Sequence, residues 1–221
     1  MPITENDYEQ AIIELFQKEL GYDYVCGYDI ERDYTQPLFI EKIKTSLIAI
    51  NPNVKQEAID EAINKIRNIE TGSLIQRNEQ FMDYLQNGID VNYYNGKENA
   101  ATHLQLIDYN SFEKNSFVIA NQWTVEEAEK KRCDVVVFVN GFPIVVMELK
   151  SPSREETDIT DAYLQIRNYM KVVPTLFVYN AFCVISDLSY SKAGTITANE
   201  DRFMQWKTID GEVEDNTCAN F

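Results

Sequence analysis

The sequence predicts an α/β fold in which a mixed β-sheet is flanked by helices and carries a helical insertion. Three features lead there. Helical periodicity dominates the first 88 residues, two near-continuous apolar runs meet around Asn140-Gly141, and another helical pattern separates those runs from a last pair of extended segments. With 44% apolar and 12% aromatic residues, no repeat and no low-complexity tract, the 221 residues read as one globular unit with a core of ordinary size.

Taken in order, Thr4 followed three residues later by Asp7 is a capping-box pattern. Tyr8, Ala11, Ile12, Leu15 and Phe16 then recur at helical spacing until Gly21 ends the first helix. Residues 24–34 read as extended chain or loop. Helical patterns run through Ile43, Leu47, Ile59, Ile63, Ile66 and Ile69, and a further helix covers Leu74 to Gln86 ahead of Gly88, so the insertion spans about 36–88. β-Branched and aromatic residues broken by Asn and Gly predict strands at Val91–Tyr94, Leu104–Tyr109 and Ser116–Trp123. Asp134–Val139 and Pro143–Leu149 form a hairpin about Asn140-Gly141, apolar enough to be buried on both faces. A helix from about Asp158 to Lys171 follows, then strands at Thr175–Tyr179 and Phe182–Ser186; periodicity weakens after residue 187.

Charge narrows the function classes. The net charge of -16, from 36 acidic and 20 basic residues, repels a phosphate backbone and counts against autonomous tight binding of nucleic acid. Cys26, Cys133, Cys183 and Cys218 form no Cys-x-x-Cys pair, and no secretory or transmembrane segment is evident, so a reduced cytoplasmic protein away from the membrane is expected. His103, the only histidine, has no Cys or His at zinc-ligand spacing, which argues against a zinc site or a Ser-His-Asp triad.

The informative residues are charges where burial is expected: Asp134 opens one apolar strand, and Glu148 and Lys150 close the next. Strand alternation puts Glu148 and Lys150 on one face. A strict two-residue turn at Asn140-Gly141 sets Asp134 opposite Met147, on the wrong face. A three-residue loop from Val139 with Gly141 left-handed sets it opposite Val146, and that loop or an equivalent bulge is expected. Two carboxylates can hold Mg²⁺ against a phosphodiester, with Lys150 activating water or stabilising negative charge. A structural ion pair at a strand end uses the same three residues. Gln165 and Tyr169, four apart on one helix face, can reach the same point, or simply sit on an amphipathic helix. Lys130, Lys131 and Arg132 beside Asp134 form a basic cluster able to touch phosphate, or a solvated turn.

Asp134, Glu148-Leu149-Lys150 and Gln165-x-x-x-Tyr169 together resemble the PD-(D/E)xK nuclease pattern with its Gln-x-x-x-Tyr motif. More narrowly, the chain resembles the amino-terminal part of the R subunit of type I restriction-modification enzymes. Asn78 with Phe81, Gly88–Val91, Asn121-Gln122, Arg132–Asp134, Phe138–Lys150, Ser186-Asp187 and Arg202–Lys207 carry that likeness. The resemblance implies a restriction-endonuclease-like core cutting duplex DNA. Asp134 and Glu148 would bind Mg²⁺, Lys150 would be catalytic, and Gln165 and Tyr169 would support catalysis or DNA contact. Glu9 is a further candidate, because relatives often carry an acidic residue in the first helix; a solvated carboxylate at a helix start accounts for it equally. No Gly-x-x-x-x-Gly-Lys-Ser/Thr phosphate loop occurs, so an ATP-driven motor is expected in other domains of a larger subunit, with methylation and specificity subunits as partners. A catalytically silent docking module and a stand-alone nuclease of the same superfamily are the alternatives.

Overall fold

The computed structural model describes residues 4–150, 159–187 and 190–205. Helix α1 (Glu5–Lys18) starts at Thr4, whose hydroxyl accepts the Asp7 N–H while the Asp7 carboxylate accepts the Thr4 N–H, so two otherwise unpaired donors are satisfied reciprocally. Strand β1 (Asp23–Cys26) follows, then α2 (Ile40–Ile50), α3 (Gln56–Arg67) and α4 (Leu74–Asn87), the last capped by the same device from Ser73 and Gln76. These three helices are the expected insertion.

After a hairpin of β2 (Ile89–Tyr94) and β3 (Asn99–Leu104), the chain enters β4 (Phe117–Glu126), β5 (Lys130–Val139) and β6 (Phe142–Leu149). Helices α5 (Ile159–Val172) and α6 (Pro174–Val178) lead to β7 (Phe182–Ser186), β8 (Ser191–Gly194) and β9 (Met204–Gln205). The seven-stranded sheet has the order β1-β4-β5-β6-β7-β8-β9, parallel at β1/β4 and β6/β7 and antiparallel elsewhere. It is the mixed, helix-flanked sheet expected of a restriction-endonuclease-like core.

Each sheet face has its own core. Tyr8, Ile12, Ile13 and Phe16 of α1 cover Ile119, Val135, Val137 and Met147, while Ala162, Ile166, Tyr169, Leu176 and Phe177 cover Val118, Ala120, Val136 and Val146. A third cluster joins the insertion to the β5–β6 turn through Phe81, Phe142 and Tyr179, with Phe81 and Phe142 ring centres 5.2 Å apart. Burial of each such side chain contributes about 1.5–3 kcal/mol.

Three expectations need correction. Thr175–Tyr179 is not a strand: Pro174 opens a short helix at the first helical position, where its missing N–H costs nothing, and an apolar run of five has no period to exclude that outcome. Leu104–Tyr109 is not a strand beyond Leu104. The strand lies earlier, at Asn99–Leu104, where pairing with β2 overrides the weak propensity of Asn99, Ala100 and Ala101. Lys130–Arg132 form no turn but the first part of β5, paired with Thr124–Glu126. The Asp158 start of the α5 prediction, Cys218 and the end of the Arg202–Lys207 motif lie outside the described residues.

Candidate active site

The hairpin register decides whether the acidic groups meet. Asn140 (φ 51°) and Gly141 (φ 85°) form a two-residue turn, with Val139 opposite Phe142. The three-residue loop is therefore not formed. Pro143, unable to donate to the ladder, pairs with Phe138; the register then shifts so that Val137 faces Val145, leaving Ile144 as an extra residue. Beyond that bulge Val136 faces Val146 and Val135 faces Met147, so Asp134 comes level with the Glu148–Leu149 end of β6 rather than with Val146. A bulge does the work expected of the loop, displaced in the other direction.

A second irregularity lies on the opposite side of Asp134. Trp123 and Ala120 share one core, as do Cys133 and Val136, although each pair is odd-even in sequence, so β4 and β5 both skip one step of alternation. They skip it together, with Asn121 opposite Val135 and Trp123 opposite Cys133, and Gln122 takes the left-handed φ of 55° between them. Asp134 sits at this break. Its Oδ2 accepts the Leu149 N–H at 2.9 Å, tying the carboxylate to the end of β6.

Glu148 is fully buried and Lys150 nearly so, at 0% and 9% exposure. Lys150 Nζ donates to Glu148 Oε1 at 2.6 Å and to Gln165 Oε1 at 3.1 Å; Gln165 Nε2 donates to the Tyr169 hydroxyl at 2.7 Å, and that hydroxyl donates to the Arg132 carbonyl at 3.0 Å. The structure thus brings all five predicted residues together, with α5 joined to β5 and β6 by one hydrogen-bonded chain. Beneath it, the Lys150 N–H donates to the Ser186 carbonyl at 2.8 Å, and the Ser186 and Tyr8 hydroxyls are hydrogen-bonded at 2.6 Å.

Electrostatics mark the two carboxyls as unusual. Burial pushes Asp134 up to about 6, against the Leu149 N–H and Lys150, which favour its charged form. Burial, then repulsion from Asp134, pushes Glu148 up to about 8, with Lys150 opposing. Each carboxyl acts on the other, so the two are near neighbours. With both ionised, Glu148 Oε2 is buried and has no partner among the described residues.

That unsatisfied oxygen beside a second carboxyl fits a hard divalent cation, since Mg²⁺ is held by one or two carboxylates with water completing its shell. No group of three His, Cys, Asp or Glu residues that could hold a metal occurs among the described residues.

Glu9 is not a solvated carboxylate at a helix start. It is 4% exposed and accepts from Asn121 Nδ2 at 2.6 Å and Gln122 Nε2 at 2.9 Å, and burial raises its pKa. The Asn121-Gln122 pair thus serves Glu9 from the strand break beside Asp134. His103 lies on the β2–β3 hairpin, bonded to Asp90, away from these groups. Reasoning from the sequence missed Tyr28, whose hydroxyl accepts from Arg132 Nη1 at 2.5 Å; a loop tyrosine 104 residues away carries no local signal. No helix among the described residues is long and apolar enough to cross a membrane.

A family model described as "Type I restriction enzyme R protein N terminus" matches residues 2–202. The type I restriction enzyme HindI endonuclease subunit of Haemophilus influenzae is 32% identical over 218 residues, covering 94% of this chain and 21% of the relative. The type I restriction enzyme SauCOLORF180P endonuclease subunit of Staphylococcus aureus is 40% identical over 86 residues, covering 38% of this chain and 9% of the relative. The chain spans about a fifth of the length of the Haemophilus relative. A match over nearly all the described residues, on a sheet that gathers the five motif residues at one point, shows that the chain belongs to the family of type I restriction enzyme R protein N termini.

Proposed function

We propose that this chain is the endonuclease domain of a type I restriction R subunit, hydrolysing phosphodiester bonds of duplex DNA with Mg²⁺ held by Asp134 and Glu148. The observation that carries the reading is Glu148 Oε2, a buried carboxylate oxygen left without a partner beside a second carboxyl. Fully buried polar groups are nearly always satisfied, and one that is not has capacity for a ligand.

When bound, the ion supplies neutralisation of phosphate charge and a lower pKa for the attacking water. The chain's own residues provide the rest. Asp134, held by the Leu149 N–H, presents its remaining oxygen without reorganising. Lys150 is fixed between Glu148 and Gln165, so its ammonium stands where negative charge develops on the phosphate oxygens or where the water must be oriented. Gln165 and Tyr169 set that position by anchoring Lys150 to the β5 backbone.

The net charge of -16 supports delivery of DNA by other parts of the assembly: motor domains of the same subunit consuming ATP, and methylation and specificity subunits, in the cytoplasm. The endonuclease-subunit names of the relatives support the same setting. A silent docking module has no need of a fully buried carboxyl beside a half-buried one, so the geometry favours the nuclease. The test is cutting by the assembled enzyme carrying Lys150→Ala or Asp134→Ala, measured beside ATP consumption. Cutting is expected to fall ~10²–10³-fold, the scale of a lost charge-stabilising group, while ATP consumption persists; normal cutting by Lys150→Ala overturns the assignment.

A further inference from the structure

Arg132 stands two residues before Asp134 on β5, and its backbone is locked to the site because its carbonyl accepts the Tyr169 hydroxyl. Its guanidinium is exposed yet held: Nη1 donates to the Tyr28 hydroxyl at 2.5 Å, and the group lies 5.9 Å from the Tyr28 ring centre. Lys130, two positions earlier and so on the same face, stands 4.4 Å from the Tyr34 ring centre. Among the described residues neither cation forms an ion pair. Lys131, between them and on the other face, is paired with Glu129 at 2.7 Å. In a chain carrying 36 acidic residues, two unpaired cations on one strand face, each placed against a loop tyrosine, run outward from the catalytic aspartate. Both Asp134 and Glu9 act electrostatically on Arg132, so its guanidinium stands within the field of the acidic site.

We infer that Arg132, propped by Tyr28, binds a backbone phosphate adjacent to the one attacked, with Lys130 on Tyr34 extending the track along the same strand. The inference rests on the nuclease reading and adds to it the residues that hold the substrate backbone. A guanidinium matches a phosphate through two parallel N–H···O bonds, and a tyrosine behind it removes the entropy that a free arginine would lose on binding. The short track also suits a domain that receives DNA from elsewhere, since it gives local register without making the whole surface attractive.

The experiment compares wild type, Arg132→Gln, Arg132→Lys, Tyr28→Phe, Lys131→Gln and Asp134→Ala in the assembled enzyme. It follows cutting at subsaturating DNA as a function of salt, ATP consumption, and phenylglyoxal labelling of Arg132 with and without duplex DNA in Ca²⁺. Arg132→Gln is expected to cut at least ~10-fold more slowly and to lose about one unit of the slope of log rate against log salt, the contribution of one phosphate contact. Arg132→Lys keeps the slope but regains only part of the rate, Tyr28→Phe loses about threefold, Lys131→Gln is unchanged, and duplex DNA protects Arg132 from labelling. A rate loss in Arg132→Gln with an unchanged slope and no protection reduces Arg132 to a structural residue and overturns the inference. So does a wild-type rate in Arg132→Gln and Tyr28→Phe while Asp134→Ala is dead. If Asp134→Ala cuts like wild type, the nuclease reading itself fails, and this inference with it. Arg132→Lys and Tyr28→Phe keep the test decisive should Arg132→Gln misfold.

Discussion

The β5–β6 hairpin buries polar groups at both ends, and the two ends treat them differently. At the turn, Asn140 is fully buried and its side chain is fully engaged: Oδ1 accepts the Ser116 N–H at 2.7 Å, and Nδ2 donates to the Leu106 carbonyl at 2.9 Å and to Asn115 Oδ1 at 2.8 Å. At the open end, Glu148 is equally buried and keeps one oxygen without a partner, and both carboxyls are driven toward neutrality. The turn asparagine is satisfied inside the chain, whereas the Glu148 oxygen retains hydrogen-bonding capacity, as Arg32 Nε and Arg77 Nε do elsewhere among the described residues.

The comparison breaks most sharply through substitution. Removing Lys150 or Asp134 is expected to cost ~10²–10³-fold in cutting with little loss of fold. Asn140→Ala should do the reverse: three hydrogen bonds vanish, the Ser116 N–H and Leu106 carbonyl lose their Asn140 partner, and the cost of about 3 kcal/mol lowers Tm by roughly 6–12 °C in a chain of this length, with the site chemistry retained in the folded fraction. Thermal melts beside cutting assays check both. Equal Tm losses at the two ends would erase the distinction. Gly141→Ala belongs with the turn, because a Cβ there would lie 2.6 Å from the Phe39 carbonyl oxygen and the Ile43 nitrogen on a backbone with φ 85°.

A smaller effect is read in pH. The folded-state pKa values of Asp134 and Glu148 are raised above those of the unfolded chain, so the native state holds protons that the unfolded state releases. Without divalent metal, stability should therefore fall as pH rises from about 4.5 to about 8. Glu148→Gln should flatten that dependence, measured as Tm between pH 5 and 8; an unaltered slope would show that Glu148 is not the group titrating. Mg²⁺ should raise the wild-type Tm more at pH 8 than at pH 6, because binding must displace the proton, and should leave Asp134→Asn unmoved. The smallest effect is expected of Tyr169→Phe. Losing the hydroxyl that links Gln165 to the Arg132 carbonyl costs about 1 kcal/mol, and roughly fivefold in rate if Lys150 loosens with it.

How legible all this was varies by residue, and the variation is physical. The capping residues Thr4 and Ser73, the periodic apolar faces of α1, α3 and α4, and the Asn140-Gly141 turn act over a few residues, so they can be read locally. Residues 174–178 failed because a five-residue apolar run has no period, although Pro174 carried a usable signal. Asn99–Leu104 failed because the strand exists by virtue of its partner rather than its composition. Pro143 inside an apolar run was the readable sign of the bulge, but not of its direction.

From the sequence alone, the residue types and their order settle that two carboxylates and an ammonium lie on or just beyond two apolar strands joined at Asn140-Gly141, that Gln165 and Tyr169 share a helix face, and that the net charge is -16. Only the tertiary structure decided that Asp134 comes level with the Glu148–Leu149 end of β6, that Glu9 turns inward to Asn121 and Gln122, and that Tyr28 contacts Arg132. The reason is range. Periodicity and capping are short-range consequences of backbone geometry, whereas a register shift, a joint slip of two strands and a contact across 104 residues are settled when competing long-range contacts close together.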